Sequence, residues 1–214
     1  MPKKISAALS WDDDKVARVV MRAEDQWSLC VAKGRKGVIE YFGDEIGSMP
    51  NVYRHAYRVL ADYWGPRRGF RHIGIYPTAH SGRRGAAEWI HPDAVMEADP
   101  KRKSSKSDPL QLHTFEIERP GGFKIQSIFE AFVQGRGADY SWVLFSSSDI
   151  KTDDYWDRVV WAARYVEVGL IEYGKIGSWS TWRTHLAAGK RRRTRNEVVQ
   201  FKANVLDGTA AIRK

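Results

Sequence analysis

The segment YSWVLFSSSDIKTDDYWDRVVWAARYVEVGLIEY, residues 140–173, carries the strongest secondary-structure patterns of the chain and decides the predicted fold. Its first part, YSWVLFSSS (140–148), is rich in aromatic and aliphatic residues and predicts a buried strand. From Thr152 the pattern becomes helical, because this threonine is a suitable N-cap and the two aspartates after it favour a first helical turn. We predict a helix from Thr152 to Glu172.

Short runs with alternating or β-branched apolar residues predict further strands. These runs are residues 15–22, 26–33, 38–42, 71–77 and 110–118, of which the first three form a predicted antiparallel meander. Residues 121–137 fit either a strand or a short helix, and residues 78–109 show little pattern.

Additional helices are predicted from Asn51 to a stop at Gly65–Pro66, from a cap at Ser180 or Thr181, and from Glu197 to Leu206. Strands and helices do not alternate regularly. We therefore predict an α+β fold: an antiparallel sheet in the first half and middle, a central helix and a C-terminal helical pair. Residues 1–214 are predicted to form a single domain, with an exposed basic loop at 100–109 and a basic C-terminal segment at 180–214.

The composition is that of a folded intracellular protein. Hydrophobic residues make up 43% and aromatic residues 12% of the chain, which is enough apolar surface for a core. The single cysteine, Cys30, excludes an internal disulfide and a cysteine-rich zinc site. The N-terminus lacks a signal-peptide pattern and no apolar run is long enough to span a bilayer, so we expect a cytoplasmic location and no membrane partner.

The positive charge is concentrated at one end. The formal net charge is +9, and residues 175–214 alone contain ten Lys and Arg against two acidic residues, a net +8. Such a distribution favours a polyanion as partner.

Three groups of cationic residues are candidate phosphate contacts, because Lys and Arg neutralise phosphates and release counterions. They are Lys190, Arg191, Arg192, Arg193 and Arg195; Arg67, Arg68, Arg71, Arg83 and Arg84; and Lys101, Arg102 and Lys103. Trp179, Phe70 and Tyr76 are candidates for stacking on bases. If the first group is helical, its charges wrap around the helix. A solvated surface, a targeting signal, an acidic protein and lipid head groups remain alternatives for this group.

No catalytic motif is found. The chain has six histidines but no HExxH spacing, and the Gly189–Lys190 pair lacks the earlier glycine of a phosphate loop, since that position is Thr184. We therefore assign no catalytic residue, no metal ligand and no cofactor. Local acidic clusters at residues 12–14 and at Asp149, Asp153 and Asp154 are the candidates for a two-metal site.

These observations predict a non-enzymatic nucleic-acid-binding protein that contacts mainly the phosphate backbone, with DNA and RNA undecided, within a larger nucleoprotein assembly. An alternative is an assembly subunit, such as a viral particle or filament protein, whose basic tail contacts packaged nucleic acid or an acidic partner. A metal-dependent nuclease is the third possibility.

Overall fold

The structure is a computed structural model that describes residues 17–20, 28–31, 51–78, 91–100, 110–150 and 152–206. The strands are β1 (Ala17–Val20), β2 (Ser28–Val31), β3 (Phe70–Pro77), β4 (Ala94–Pro100), β5 (Gln111–Ile117), β6 (Tyr140–Ser146), β7 (Gly169–Tyr173) and β8 (Trp182–Leu186). The helices are α1 (Asn51–Val59), α2 (Ile125–Gln134), α3 (Asp153–Tyr165) and α4 (Arg195–Phe201). Helix α1 continues through a π-helical segment, Leu60–Trp64, and an α-helical turn, Gly65–Arg67, and α4 continues through a π-helical segment, Lys202–Leu206.

The described strands form one mixed sheet in the order β2-β1-β3-β4-β5-β6-β7-β8. Six strands, β3 to β8, lie side by side in chain order, and β1 and β2 extend the sheet beyond β3. Most neighbouring pairs are antiparallel, but β1/β3, β5/β6 and β6/β7 are parallel. The combination of helices and strands confirms the predicted class in its coarse form. The parallel pairs correct the prediction of a purely antiparallel sheet: α2 and α3 connect β5, β6 and β7 as crossovers, and such connections join parallel strands.

Helices α2, α3 and α4 cover one face of the sheet. Right-handed crossovers that proceed in the same direction along a sheet place their helices on the same face. Ile128 of α2 and Val159 of α3 accordingly share a buried cluster with Val143 of β6. Farther along this face, Phe201 of α4 belongs to a cluster with Leu112 of β5.

Helix α1 and its extension cover the opposite face. Tyr57, Leu60 and Trp64 share a buried cluster with Phe115 and Trp142. The Trp64 ring meets the rings of Trp142 and Phe115 edge-on, with centroids 5.1 and 5.4 Å apart. The sheet is therefore enclosed between α1 and the other helices.

Helix α3 begins as predicted but ends earlier. The Thr152 hydroxyl accepts a hydrogen bond from the backbone N–H three residues later, at 3.2 Å, which confirms this residue as the N-cap. The prediction of a helix extending to Glu172 is wrong, because the helix ends at Tyr165. Glu167 then adopts a φ of 59°, a left-handed conformation that terminates helices, and the apolar residues after it form β7.

The predicted C-terminal helical pair is half correct. Strand β8 replaces the helix that we expected after Ser180 or Thr181, because this segment pairs antiparallel with β7. The second helix exists and spans Arg195 to Leu206, close to its predicted bounds.

The other predictions of secondary structure are confirmed in part. Strands β3 and β5 confirm the predictions at 71–77 and 110–118, and β1 and β2 lie within two of the predicted meander strands. The third meander strand, 38–42, and the basic loop at 101–109 lie outside the described residues. The ambiguous segment 121–137 contains α2, and β4 occurs where no strand was predicted.

The helix from Asn51 passes its predicted stop. It reaches Arg67 because Pro66 lies in the first turn of the last helical segment, where a backbone N–H is not needed. None of the helices in the described part of the chain is long and apolar enough to cross a membrane.

Candidate metal centre and basic surface

Four carboxylates converge on the face of the sheet that carries α2. Asp93 directly precedes β4, Glu116 is in β5, Glu118 follows β5, and Glu130 is on α2. The antiparallel register that pairs Ala94 with Phe115 places Asp93 opposite Glu116. Glu116 and Glu118 share one face because side chains alternate along a strand. We call Asp93, Glu116, Glu118 and Glu130 the acidic cluster.

The spacing within the acidic cluster suits a cation. Carboxylate oxygens of Glu116, Glu118 and Glu130 all lie within 4.8 Å of one another. Around an octahedral Mg²⁺, opposite oxygens are about 4.2 Å apart and neighbouring oxygens about 3.0 Å apart, given metal–oxygen distances of about 2.1 Å. The three glutamates would therefore move closer together on binding a single ion.

Local hydrogen bonds hold these side chains in place. One Asp93 oxygen, Oδ2, accepts the backbone N–H of Ile117 at 2.7 Å. The Ser127 hydroxyl donates to Glu118, and the side-chain amide of Gln126 donates to Glu130 at 2.9 Å. Helix α2 thus supplies both a carboxylate and the donors that orient the cluster.

Burial outweighs the nearby positive charges at three carboxylates of the acidic cluster, although Arg119 acts to lower the pKa of Asp93 and Lys124 that of Glu118. Burial, followed by the charge of Asp93, raises the pKa of Glu116, and burial is likewise the largest cause that raises the pKa of Asp93 and of Glu118. Within the described parts of the chain, no Lys or Arg forms an ion pair with any of the four carboxylates. A bound cation reverses this situation, because it stabilises the ionised form of each ligand.

Gln134 provides an independent sign of a ligand at this place. Its side chain is 5% exposed, and its amide hydrogen-bonds Glu116. Its carbonyl oxygen, Oε1, and the Oε2 atom of Glu116 are both buried without a hydrogen-bond partner among the described residues. A buried acceptor without a donor costs about 1–3 kcal/mol. A cation between these oxygens would remove that cost.

Tyrosines and one arginine form the rim of the acidic cluster. The Tyr57 hydroxyl donates to the backbone oxygen of Asp93 at 3.0 Å. The Arg119 guanidinium is exposed and lies over the Tyr53 ring, 5.7 Å from its centroid. Burial, and next the charge of Asp93, raises the pKa of Tyr53 to about 12, so this hydroxyl stays protonated at neutral pH. Arg119 is therefore held at the edge of the cluster, where its charge counteracts part of the rise in the pKa of Asp93 that burial causes.

The acidic residues considered from the sequence have other roles. Asp149 is buried and accepts the backbone N–H groups of Gly121 and Ser146, at 2.6 and 3.3 Å. Asp153 and Asp154 are exposed in the first turn of α3, and residues 12–14 lie outside the described residues. Two features of the sequence are compatible with the acidic cluster. Glu116 and Glu118 alternate in a predicted strand, and Asp93 follows a proline. Their convergence with Glu130 depends on tertiary structure.

The cationic run Lys190–Arg195 is not a uniform charged surface. Residues 190–194 have no regular secondary structure, so the helical condition for wrapping the charge around a helix is not met in this part. Arg193 binds Asp139 through two hydrogen bonds of 2.6 and 2.8 Å, and Arg191 donates to the backbone oxygen of Phe132 at 2.8 Å. Arg193 is thus tied to the fold by an ion pair, whereas Arg191 makes one backbone hydrogen bond and keeps two buried nitrogens, Nε and Nη2, without a partner among the described residues. Lys190, Arg192 and Arg195 are exposed.

The two described side chains of the second predicted group are both exposed and lie over tryptophans. The Arg68 guanidinium lies 4.8 Å from the ring centroids of both Trp64 and Trp142 and donates to Thr184. Arg67 is exposed and stacks on Trp179 at 5.5 Å.

Two of the three predicted stacking residues are buried. Phe70 and Tyr76 are 8% and 5% exposed, which leaves no ring face for a base. Trp179 is half-buried beneath Arg67 and beside Trp182. The side chain of Arg71 and all of Arg83, Arg84, Lys101, Arg102 and Lys103 lie outside what the structure describes.

No protein-family model, no curated protein and no solved structure matches this chain. Its function therefore has to be inferred from the acidic cluster and the cations around it.

Proposed function

We propose that this protein is a divalent-metal-dependent nuclease whose metal centre is the acidic cluster. The observation that carries the proposal is the convergence of Glu116, Glu118 and Glu130 with the buried, unpartnered oxygen of Gln134. Groups of this kind destabilise a fold unless a cation neutralises them, so their presence together favours a functional site.

The ligand set selects the kind of metal. All donors are oxygens, which suits Mg²⁺, Mn²⁺ or Ca²⁺, whereas zinc sites usually include nitrogen or sulfur. Mg²⁺ sites built from a few carboxylates commonly take further ligands from substrate phosphates. When bound, the ion supplies a Lewis acid for a phosphoryl oxygen and a bound water of lowered pKa.

Nucleic acid is the phosphate substrate that the charge of the chain favours. The net charge of +9 attracts a polyanion in spite of the acidic cluster. Arg119, exposed at the rim and adjacent in sequence to Glu118, is placed to donate charge-assisted hydrogen bonds to a phosphate. Stacking on Tyr53 holds the guanidinium at the edge of the acidic cluster.

The other residues position this machinery. The backbone N–H of Ile117 fixes the Asp93 carboxylate, and the Ser127 hydroxyl fixes Glu118. The amide of Gln134 orients Glu116 and leaves its own oxygen free to act as a further ligand. Each of these roles is tied to a strand end or to α2, which are rigid parts of the fold.

The test is cleavage of labelled single-stranded DNA, duplex DNA and RNA in Mg²⁺, Mn²⁺, Ca²⁺ or EDTA. Cleavage of at least one substrate is expected with Mg²⁺ or Mn²⁺ and none in EDTA. Glu116→Gln and Glu118→Gln should each lower the rate by about 100-fold or more, since a metal centre contributes several kcal/mol to the transition state. Asp154→Asn is the matched control, because this carboxylate is exposed and paired with Arg158 at 2.7 Å.

Metal binding is measured separately by thermal unfolding. Saturating Mn²⁺ should stabilise the wild type, by about 2.7 kcal/mol at one hundred times the dissociation constant, and should not stabilise Glu116→Gln. In EDTA, Glu116→Gln should be at least as stable as the wild type, because it removes repulsion from Asp93. Nucleic-acid binding without Mn²⁺ stabilisation or cleavage would refute the proposal and favour the non-enzymatic protein expected from the sequence.

A further inference from the structure

We propose that a single-stranded segment of nucleic acid binds in a second site, a groove lined by arginines between the ends of α2 and α3. This groove has a volume of about 630 Å³. Its walls are the C-terminal ends of these two helices, the residues that follow each of them, and residues 191–193. We call it the arginine groove. That its occupant is nucleic acid rests on the proposed function.

The arginine groove carries an excess of positive charge. Five arginines and two glutamates line it. One of the glutamates, Glu197, is engaged with Thr194, whose backbone N–H and hydroxyl donate to it at 2.7 and 2.9 Å. Arg164 and Arg192 are exposed, and neither forms an ion pair with any residue that the structure describes. The five arginines outnumber the two glutamates and Asp139, which pairs with Arg193, so the groove keeps a net positive charge.

Arg191 supplies donors that the fold does not use. Its guanidinium stacks on Phe132 at 4.6 Å and donates one N–H to the backbone oxygen of that residue. Its Nε and Nη2 atoms are buried and have no hydrogen-bond partner within the described parts of the chain. Because burial disfavours an arginine whose donors are unsatisfied, an anion that enters the groove would stabilise it.

An aromatic platform adjoins these charges. Tyr165 lines the groove and is 75% exposed, and Trp161, one helical turn earlier, is 66% exposed. Their rings stack with centroids 5.6 Å apart and an interplanar angle of 11°. Flat exposed aromatic surface beside arginines is the arrangement that holds single-stranded nucleic acid, because bases that are not already stacked in a duplex can stack on it.

Helix α2 connects the arginine groove to the acidic cluster. Glu130 belongs to the cluster, and Gly135, five residues later, lines the groove. Five residues of helix correspond to about 7.5 Å along its axis. The two places lie on different sides of α2 but close together along its axis, so a strand that passes around the end of this helix would contact both.

The test measures binding without cleavage, by fluorescence anisotropy of a labelled single-stranded oligonucleotide in EDTA. Arg164→Gln combined with Arg192→Gln should weaken binding about tenfold and lower the slope of log affinity against log salt by about 1.4, since two phosphate contacts are removed. Tyr165→Ala should also weaken binding about tenfold through the loss of stacking. Arg158→Gln is the control: it removes the same charge from an exposed position on α3 and should bind like the wild type.

The outcomes separate this inference from the proposed function. If the groove variants weaken binding but no metal-dependent cleavage is found, the nuclease proposal fails and the arginine groove stands. If cleavage occurs and the groove variants bind the single strand like the wild type, the inference is refuted and the nuclease proposal stands. A concentration-dependent dimer that Tyr165→Ala dissociates, with unchanged oligonucleotide affinity, would also refute it and assign this surface to a second copy of the chain.

Discussion

The pairing of Arg193 with Asp139 provides the sharpest test of how the cationic run divides between folding and binding. The guanidinium donates two hydrogen bonds to the carboxylate, at 2.6 and 2.8 Å, and a third to the backbone oxygen of Gly137 at 3.1 Å. The two side chains are only 12% and 8% exposed. Removing one partner of a buried pair destabilises a protein by about 3–5 kcal/mol.

We expect Arg193→Gln to lower the free energy of unfolding by about 3 kcal/mol, at the lower end of this range. The reason is that Asp139 keeps one strong donor, the backbone N–H of Leu112 at 2.8 Å. Arg192→Gln is the matched control, because it removes the same charge from the neighbouring exposed residue and should change stability by less than about 0.5 kcal/mol.

Equilibrium unfolding in urea, followed by tryptophan fluorescence, measures both values. With a slope of about 2 kcal/mol per molar urea, Arg193→Gln should shift the midpoint down by about 1.5 M. The double variant with Asp139→Asn should be more stable than the sum of the two single effects predicts, because the second change removes a charge that the first left unpaired. Equal midpoints for Arg193→Gln and Arg192→Gln would refute this division of roles.

Two further changes test the packing of α1 and of β7. Asp62 has a side chain that is 2% exposed, and burial raises its pKa to about 6. Because the pKa of Asp62 is higher in the folded state than in the unfolded state, its ionisation weakens the fold as the pH rises through 6. Asp62→Asn should therefore raise the free energy of unfolding by about 3 kcal/mol at pH 8 and hardly change it below pH 4. A gain in thermal stability that is independent of pH would contradict this. Gly169→Ala should destabilise the protein by about 2 kcal/mol or more, because a Cβ at this position would lie 2.2 Å from the Trp142 ring. Gly174→Ala should cost much less, because its Cβ would lie 3.3 Å from Thr181. Equal melting temperatures of the two variants would exclude this clash.

The sequence predicts an element well where its local pattern has one meaning. The alternation in β5 and the cap at Thr152 each led to a correct prediction. The segment of β7 was misassigned because its apolar residues continue the helical pattern of α3. The helix is ended by the left-handed backbone of Glu167, and the strand is favoured by pairing on both sides, which are tertiary effects.

The same limit applies to function. Counting charges cannot distinguish Arg193 from Arg192, because the carboxylate that binds Arg193 lies 54 residues earlier in the chain. The acidic cluster likewise needs the register of β4 against β5, which places Asp93 opposite Glu116 although they are far apart in sequence. Composition led to the prediction of a polyanion partner, whereas the proposed metal centre depends on the three-dimensional arrangement of its residues.

Helix α2 contributes residues to both proposed sites, and its polar and apolar side chains are distributed in an unusual way. Along this helix the buried polar residues recur at spacings of three and four, which places them on one side. They are Ser127, 3% exposed, half-buried Glu130, and Gln134, 5% exposed. Three large apolar residues are partly exposed to solvent: Phe129, Phe132 and Val133 are 42%, 42% and 49% exposed.

This arrangement reverses part of the amphipathic pattern that stabilises a surface helix. Burying the Gln134 carbonyl oxygen without a hydrogen-bond partner among the described residues destabilises the fold, and exposing phenylalanines forgoes the free energy of their burial. Only Ile128 and Ala131 anchor the middle of α2 in the core in the ordinary way. A cation among the polar side chains would account for one half of the reversal. Nucleic acid in the arginine groove, which begins at Phe132, would account for part of the other half, and α2 would then align the bound strand with the metal centre.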